Sequence, residues 1–236
     1  MPTATDRRPI PRQRPLAMAG IAAPVVLVLG VVVAGLTWPG YSHRTQNISD
    51  LGGTDAVQPA LLNLTLVLFG LLVVAFAVAL HRVRTEPADT PAGPLLVGPL
   101  LVGYFGATAA LQGLTPCTPG CAAGTPADRV HALAALTGLV AVALAMLGSW
   151  RATRPTAGRS PHGTFSAWTG VGTLGFLVAW LVAAGVDPHR LQAGVLQRAL
   201  FALVLCWLAV TAVRLLREPL GNRGDQPRPH RTSETT

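Results

Sequence analysis

Along this chain the apolar residues come in unbroken blocks of about twenty, not at the period of two or 3.6 that marks a strand or an amphipathic helix. A block of that length spans the roughly 30 Å of a bilayer's hydrocarbon core when helical. In lipid every backbone N–H and C=O must be paired within its own segment, so strands and loops are excluded and helices follow. Six such spans are predicted: Leu16–Trp38, Ala60–Leu80, Ala92–Leu114, Arg129–Trp150, Thr164–Val186 and Leu191–Leu216. Residues 1–15 and 217–236 are polar and rich in Pro and Arg, and are expected to be disordered. No stretch between spans is long enough for a soluble domain. The expected fold is therefore all-α, an integral membrane six-helix bundle over residues 16–216. The first apolar run exceeds the ~7–15 residues of a cleaved signal peptide, so it is read as a retained helix.

Charge then sets orientation. All 18 basic residues are arginine and the net charge is +8. If the N-terminus is cytoplasmic, fourteen of the eighteen arginines fall in cytoplasmic segments, leaving Arg44, Arg129, Arg190 and Arg198 on the other side. The positive-inside rule then gives both termini inside and a location in the cytoplasmic membrane. The arginines flank apolar blocks and lack interleaved aromatics, which fits lipid headgroups as partners and argues against nucleic acid. The Gly, Ala, Pro and Arg bias is that expected of a GC-rich, actinobacterial genome. The third span carries Pro94, Pro99 and five glycines, so it should be kinked and closely packed.

Chemistry-bearing residues gather in the three outer segments. The first supplies Tyr41, His43, Arg44, Asn47, Ser49, Asp50 and Asp55, the second Cys117, Cys121, Asp128, Arg129 and His131, and the third Asp187, His189 and Arg190. Arg198 lies about eight residues into the last span, on the order of 12 Å below the surface at ~1.5 Å per residue. There it should turn inward to a carboxylate, a carbonyl or water, with Asp50, Asp128 and Asp187 as candidate carboxylates. Asp128 and His131, three apart, share a helix face. They are read either as a helix cap and a bundle hydrogen bond, or as an acid/base pair. Adding His43 or His189 would make a metal site, but no dense His/Cys cluster is present, and neither metal nor cofactor is expected. Cys117 and Cys121 flank a Thr-Pro-Gly turn and suit a disulfide in an oxidising compartment. Cys206 reads as a small apolar filler, and Trp38 and Trp150 as interface anchors. Gly103, Gly106 and Ala107 in the third span, and Gly170, Gly172 and Gly175 in the fifth, read as close-packing positions. No P-loop, dinucleotide glycine pattern or G-x-S-x-G occurs.

On Ile48-Ser49-Asp50-Leu51-Gly52, Pro59, Asn63, His131-Ala132-Leu133-Ala134-Ala135, Gly194, Gln197, Arg198 and Trp207 the chain resembles the bacterial and archaeal domain of unknown function 998. That family is distantly similar to the Frag1/DRAM/Sfk1 proteins and implies a six-helix membrane module with lipid-related roles. Many relatives carry an acidic residue where this chain has Gln197, so the resemblance implies no ion pair between that position and Arg198. The leading functional reading is a module that binds lipid or a small amphiphile through Asp50, His131 and Arg198. The alternative is an intramembrane enzyme using Asp50 or the Asp128/His131 pair on a lipid or isoprenoid. A transporter or assembly partner comes third, disfavoured by the absence of an inverted repeat and by few polar residues on the cytoplasmic half.

Overall fold

The structure is a computed structural model that describes residues 13–85, 93–121, 124–152, 160–187 and 192–217. Six α-helices occupy the apolar blocks: α1 Gln13–Thr37, α2 Pro59–Thr85, α3 Gly93–Leu114, α4 Pro126–Ala152, α5 Pro161–Val186 and α6 Ala193–Arg217. All six are long and apolar enough to cross a membrane. Two 3-10 turns, Ser49–Gly52 and Pro119–Cys121, lie in the first and second connections, and no strand occurs among the described residues. The tails expected to be disordered fall almost wholly outside the described residues, as do His189 and Arg190.

Helices α4 and α5 begin three residues before the predicted spans, because a polar capping residue, Thr125 or Ser160, precedes each, whereas α3 and α6 begin one and two residues after theirs. Ser160 caps α5 by accepting a 3.0 Å hydrogen bond from Gly163 N–H, with Pro161 at the first helical position. Pro99 lies inside α3, which continues unbroken from Gly93 to Leu114.

Each helix packs on the next in sequence, and α6 closes against α1, making a ring of six. The loop 38–58 and the C-terminal ends of α3 and α5 share one end, here the cap end, and the start of α1 and the end of α6 lie at the other. Phe69, Phe76, Leu200, Val204, Trp207 and Leu208 are among the fully buried side chains that fill the ring. Several polar groups inside find partners: Trp207 Nε1 donates to Ser166 Oγ at 3.0 Å across the α5/α6 seam, and Thr65, Ser149, Thr169 and Thr173 donate to carbonyls four residues back. The outer surface is apolar, with Leu36, Leu64 and Trp168 exposed as lipid-facing groups would be.

The α2/α3 seam is backbone against backbone. A Cβ on Gly106 would stand 2.7 Å from the Gly70 carbonyl oxygen, and one on Gly70 would strike the Gly106 carbonyl in return. Gly170 and Gly172 also face neighbouring helices, whereas Gly175 meets nothing within 4 Å and Ala107 is exposed. Periodic small residues mark the tight seam only where a partner backbone lies opposite. Cys206 differs as well: it is exposed on the exterior instead of filling the interior.

Candidate functional site

At the cap end the first loop turns inward as a plug. Ile48, Leu51 and Gly52 are buried, and the short 3-10 turn starting at Ser49 reverses the chain between them. Three helices hold it. From α2, Asn63 Nδ2 donates to Gly52 O at 3.0 Å; from α5, Trp180 Nε1 donates to Asn47 Oδ1 at 2.9 Å; from α6, Gln197 Oε1 accepts from Ile48 N–H at 2.5 Å. Asp50 Oδ2 accepts from Asn47 N–H at 2.7 Å, closing the turn on itself. Gln197 therefore serves as an acceptor for the backbone of the plug. A neutral amide does this as well as a carboxylate would.

Arg198 sits beside the plug, between α1 and α6. Its Nη1 donates to Gln46 O and Gly194 O, both at 2.9 Å. Its Nη2 donates to the Tyr41 hydroxyl at 2.6 Å and lies 3.2 Å from His43 Nδ1. The guanidinium carbon also lies 5.7 Å from the Tyr41 ring centroid. The Tyr41 hydroxyl donates in turn to Asn47 O at 2.7 Å, and its ring meets His43 edge-on at 5.0 Å. Of the partners the sequence allows, the structure chooses carbonyls; Asp50, Asp128 and Asp187 do not bond to Arg198. The local backbone explains this choice. The first loop lies across the start of α6, where Val195 N–H donates to Arg44 O at 3.1 Å and satisfies an otherwise orphaned helix donor. Gly194 makes room, since a Cβ there would run into Gln46 O.

Two groups of this cluster are perturbed. Burial pushes the Tyr41 phenol above its ordinary 10.0 even though the adjacent Arg198 pulls it down, so it stays a neutral hydroxyl. Burial, then the Arg198 charge, push the His43 imidazole below 6.5, which keeps it neutral and able to accept. The groups that hydrogen-bond Arg198 are thus all neutral.

The second loop carries a separate arrangement on the α3/α4 side. Cys117 and Cys121 form a disulfide with Cα atoms 5.0 Å apart. Asp128 receives Thr118 N–H at 2.8 Å, Thr118 Oγ1 at 3.0 Å and Thr125 N–H at 2.9 Å, while its own N–H donates to Thr125 Oγ1 at 3.1 Å. This reciprocal Thr125/Asp128 pair is a capping box for α4. His131 Nδ1 lies 2.9 Å from Thr115 O, which only accepts, so that nitrogen carries the proton. Asp128 and His131 therefore share a face without forming a hydrogen bond. One ligand atom each from Cys117, Cys121 and His131 lies within 4.8 Å of the others, but the sulfurs are joined to each other and offer no thiolate. His43 is far from a cation site in character, bound as it is to Arg198.

Asp50, His131 and Arg198 thus belong to one end of the bundle but not to one pocket. Asp50, at the centre, lies close enough to both Tyr41 and His131 to act on each electrostatically. Beneath the plug a cavity of about 30 Å3 is bounded by Ser49, Gln112, Trp180 and Gln197 among apolar side chains. That is space for about one or two water molecules. Sequence reasoning missed Trp180, Thr118 and Thr125. Thr125, three residues before Asp128, carried a legible capping-box signal; the contact between Trp180 and Asn47 carried none.

No curated protein and no solved structure matches this chain. A family profile of proteins of unknown function, DUF998, matches residues 21–214. That span takes in all of the plug, both clusters and most of the six helices that make this a multi-pass membrane protein. Among the residues on which the resemblance rests, the segment Ile48–Gly52 forms the plug and Asn63 and Gln197 help to hold it, and the chain belongs to the DUF998 family.

Proposed function

We propose that the protein binds the anionic head of a membrane lipid or related amphiphile at the cap end, with Arg198 as the cationic centre, and that this end faces outward from the cytoplasmic membrane. The observation that carries the reading is the neutrality of the Arg198 cradle. A guanidinium at a membrane helix is costly unless its charge is answered, and here four contacts satisfy its terminal nitrogens without a single carboxylate. Nε remains for an incoming anion, and the exposed His43 and Arg44 flank the approach. The outward orientation rests on the arginine distribution along the chain.

Several features weigh against a catalytic reading. Asp128 is committed to the α4 cap, His131 is tethered to a carbonyl, and the cavity beneath the plug is too small for a lipid or isoprenoid. Binding at the rim needs none of these to move.

The test is retention of phosphatidylglycerol by protein purified in mild detergent, counted by native mass spectrometry. Arg198→Gln should lower retention about tenfold, equivalent to ~1.4 kcal/mol, while Arg198→Lys keeps most of it. Unchanged retention in a folded Arg198→Gln protein would overturn the proposal.

A further inference from the structure

The end of the bundle opposite the plug holds a second polar cavity, about 140 Å3 in volume and walled by five of the six helices. Its apolar side includes Leu80 of α2 and Trp207 of α6. Its polar side consists of Ser149 at the end of α4, His162 at the start of α5, and Thr211 and Arg214 near the end of α6. No carboxylate lines it among the described residues; the charged or protonatable groups there are basic. The first turn of α5, which opens onto this space, also contains no acidic residue, so the positive end of that helix dipole is not neutralised from within. Thr211 Oγ1 is buried and has no hydrogen-bond partner in the structure, although a hydroxyl shielded from water ordinarily has one.

We propose that this cavity is a second, independent anion site that takes a phosphate-type head group, with Arg214 and His162 supplying charge and Thr211 donating its hydroxyl hydrogen to a phosphate oxygen. The apolar wall favours a phosphate that carries acyl chains. The volume admits a head group and the first few methylenes, with the chains left in the bilayer. Several features agree: basic groups lining the cavity, an unused buried hydroxyl, and a space several times larger than the one under the plug. Sequence reading of the spans expects few polar groups in this half. Three helices, α4, α5 and α6, bring these together, and only the closed ring makes them neighbours.

The experiment uses the full chain in detergent micelles carrying Arg198→Gln, so that the cap-end site is silenced whether or not it binds lipid. The probes are dihexanoyl phosphatidic acid and inorganic phosphate, followed by isothermal titration calorimetry. The phosphatidic acid should bind, and Arg214→Gln should weaken it at least tenfold. Thr211→Phe, which fills the cavity without changing charge, should do the same with an unaltered thermal transition. Competition by inorganic phosphate at equal strength would make the free anion the occupant; failure to compete would make it the amphiphile, and both support the site. Binding unchanged by both variants, or no binding of either probe, overturns it.

Discussion

Arg198 places a permanent charge within a membrane helix and meets it with oxygens that carry none. Each of its terminal nitrogens has two partners within 3.2 Å, so the side chain is fixed, and none of those partners carries a charge. Tyr41 is the middle of this chain of contacts. Its replacement by Phe removes both the bond to Arg198 and the one to Asn47, and should destabilise the protein by about 1–2 kcal/mol, read as a lower midpoint of thermal unfolding. His43 gives the cluster its pH dependence. Its folded pKa lies below the ordinary imidazole value, so the native state prefers the neutral ring, and stability falls as pH drops below 6.5 while the unfolded chain takes up protons first. Over pH 8 to 5 the wild-type midpoint should fall more steeply than that of His43→Gln, which cannot titrate; parallel curves would show that His43 is not held neutral against Arg198.

Among elements, α2 and α3 depend most closely on residue size. Gly106→Ala puts a methyl against the backbone of α2 and should cost about 1–3 kcal/mol, whereas Gly175→Ala, which opens onto empty space, should be neutral or slightly stabilising. Equal effects at the two positions in chemical or thermal unfolding would contradict the seam described here. The sequence shows both glycines in helical, small-residue contexts and cannot rank them, because the distinguishing fact is the carbonyl of Gly70 on another helix. The α4 cap shows the opposite case. Thr125 and Asp128 are three apart in one turn, so their hydrogen bonds were available to local reasoning.

For the molecule as a whole, the six spans were legible because lipid imposes length and apolarity on each segment by itself. The plug was legible as a polar loop with a distinctive Ile48–Gly52 string, but not as an inserted one: its fixings come from Asn63, Trp180 and Gln197 on three helices, far apart in sequence. The same holds for Arg198. Its depth followed from counting residues along a helix, whereas its neutral cradle depended on the first loop crossing the start of α6. The two polar ends give the ring a consistent character, with the apolar exterior between them. Both proposed sites are lined by basic side chains, and the cap-end site is the central one. The most direct test is a density map of the protein in a nanodisc containing phosphatidylglycerol. A head-group phosphate is expected within hydrogen-bonding distance of Arg198 Nε, with its acyl chains along the exterior of α1 and α6. An ordered Arg198 cradle with no lipid phosphate against it would rule out Arg198 as the anion's partner.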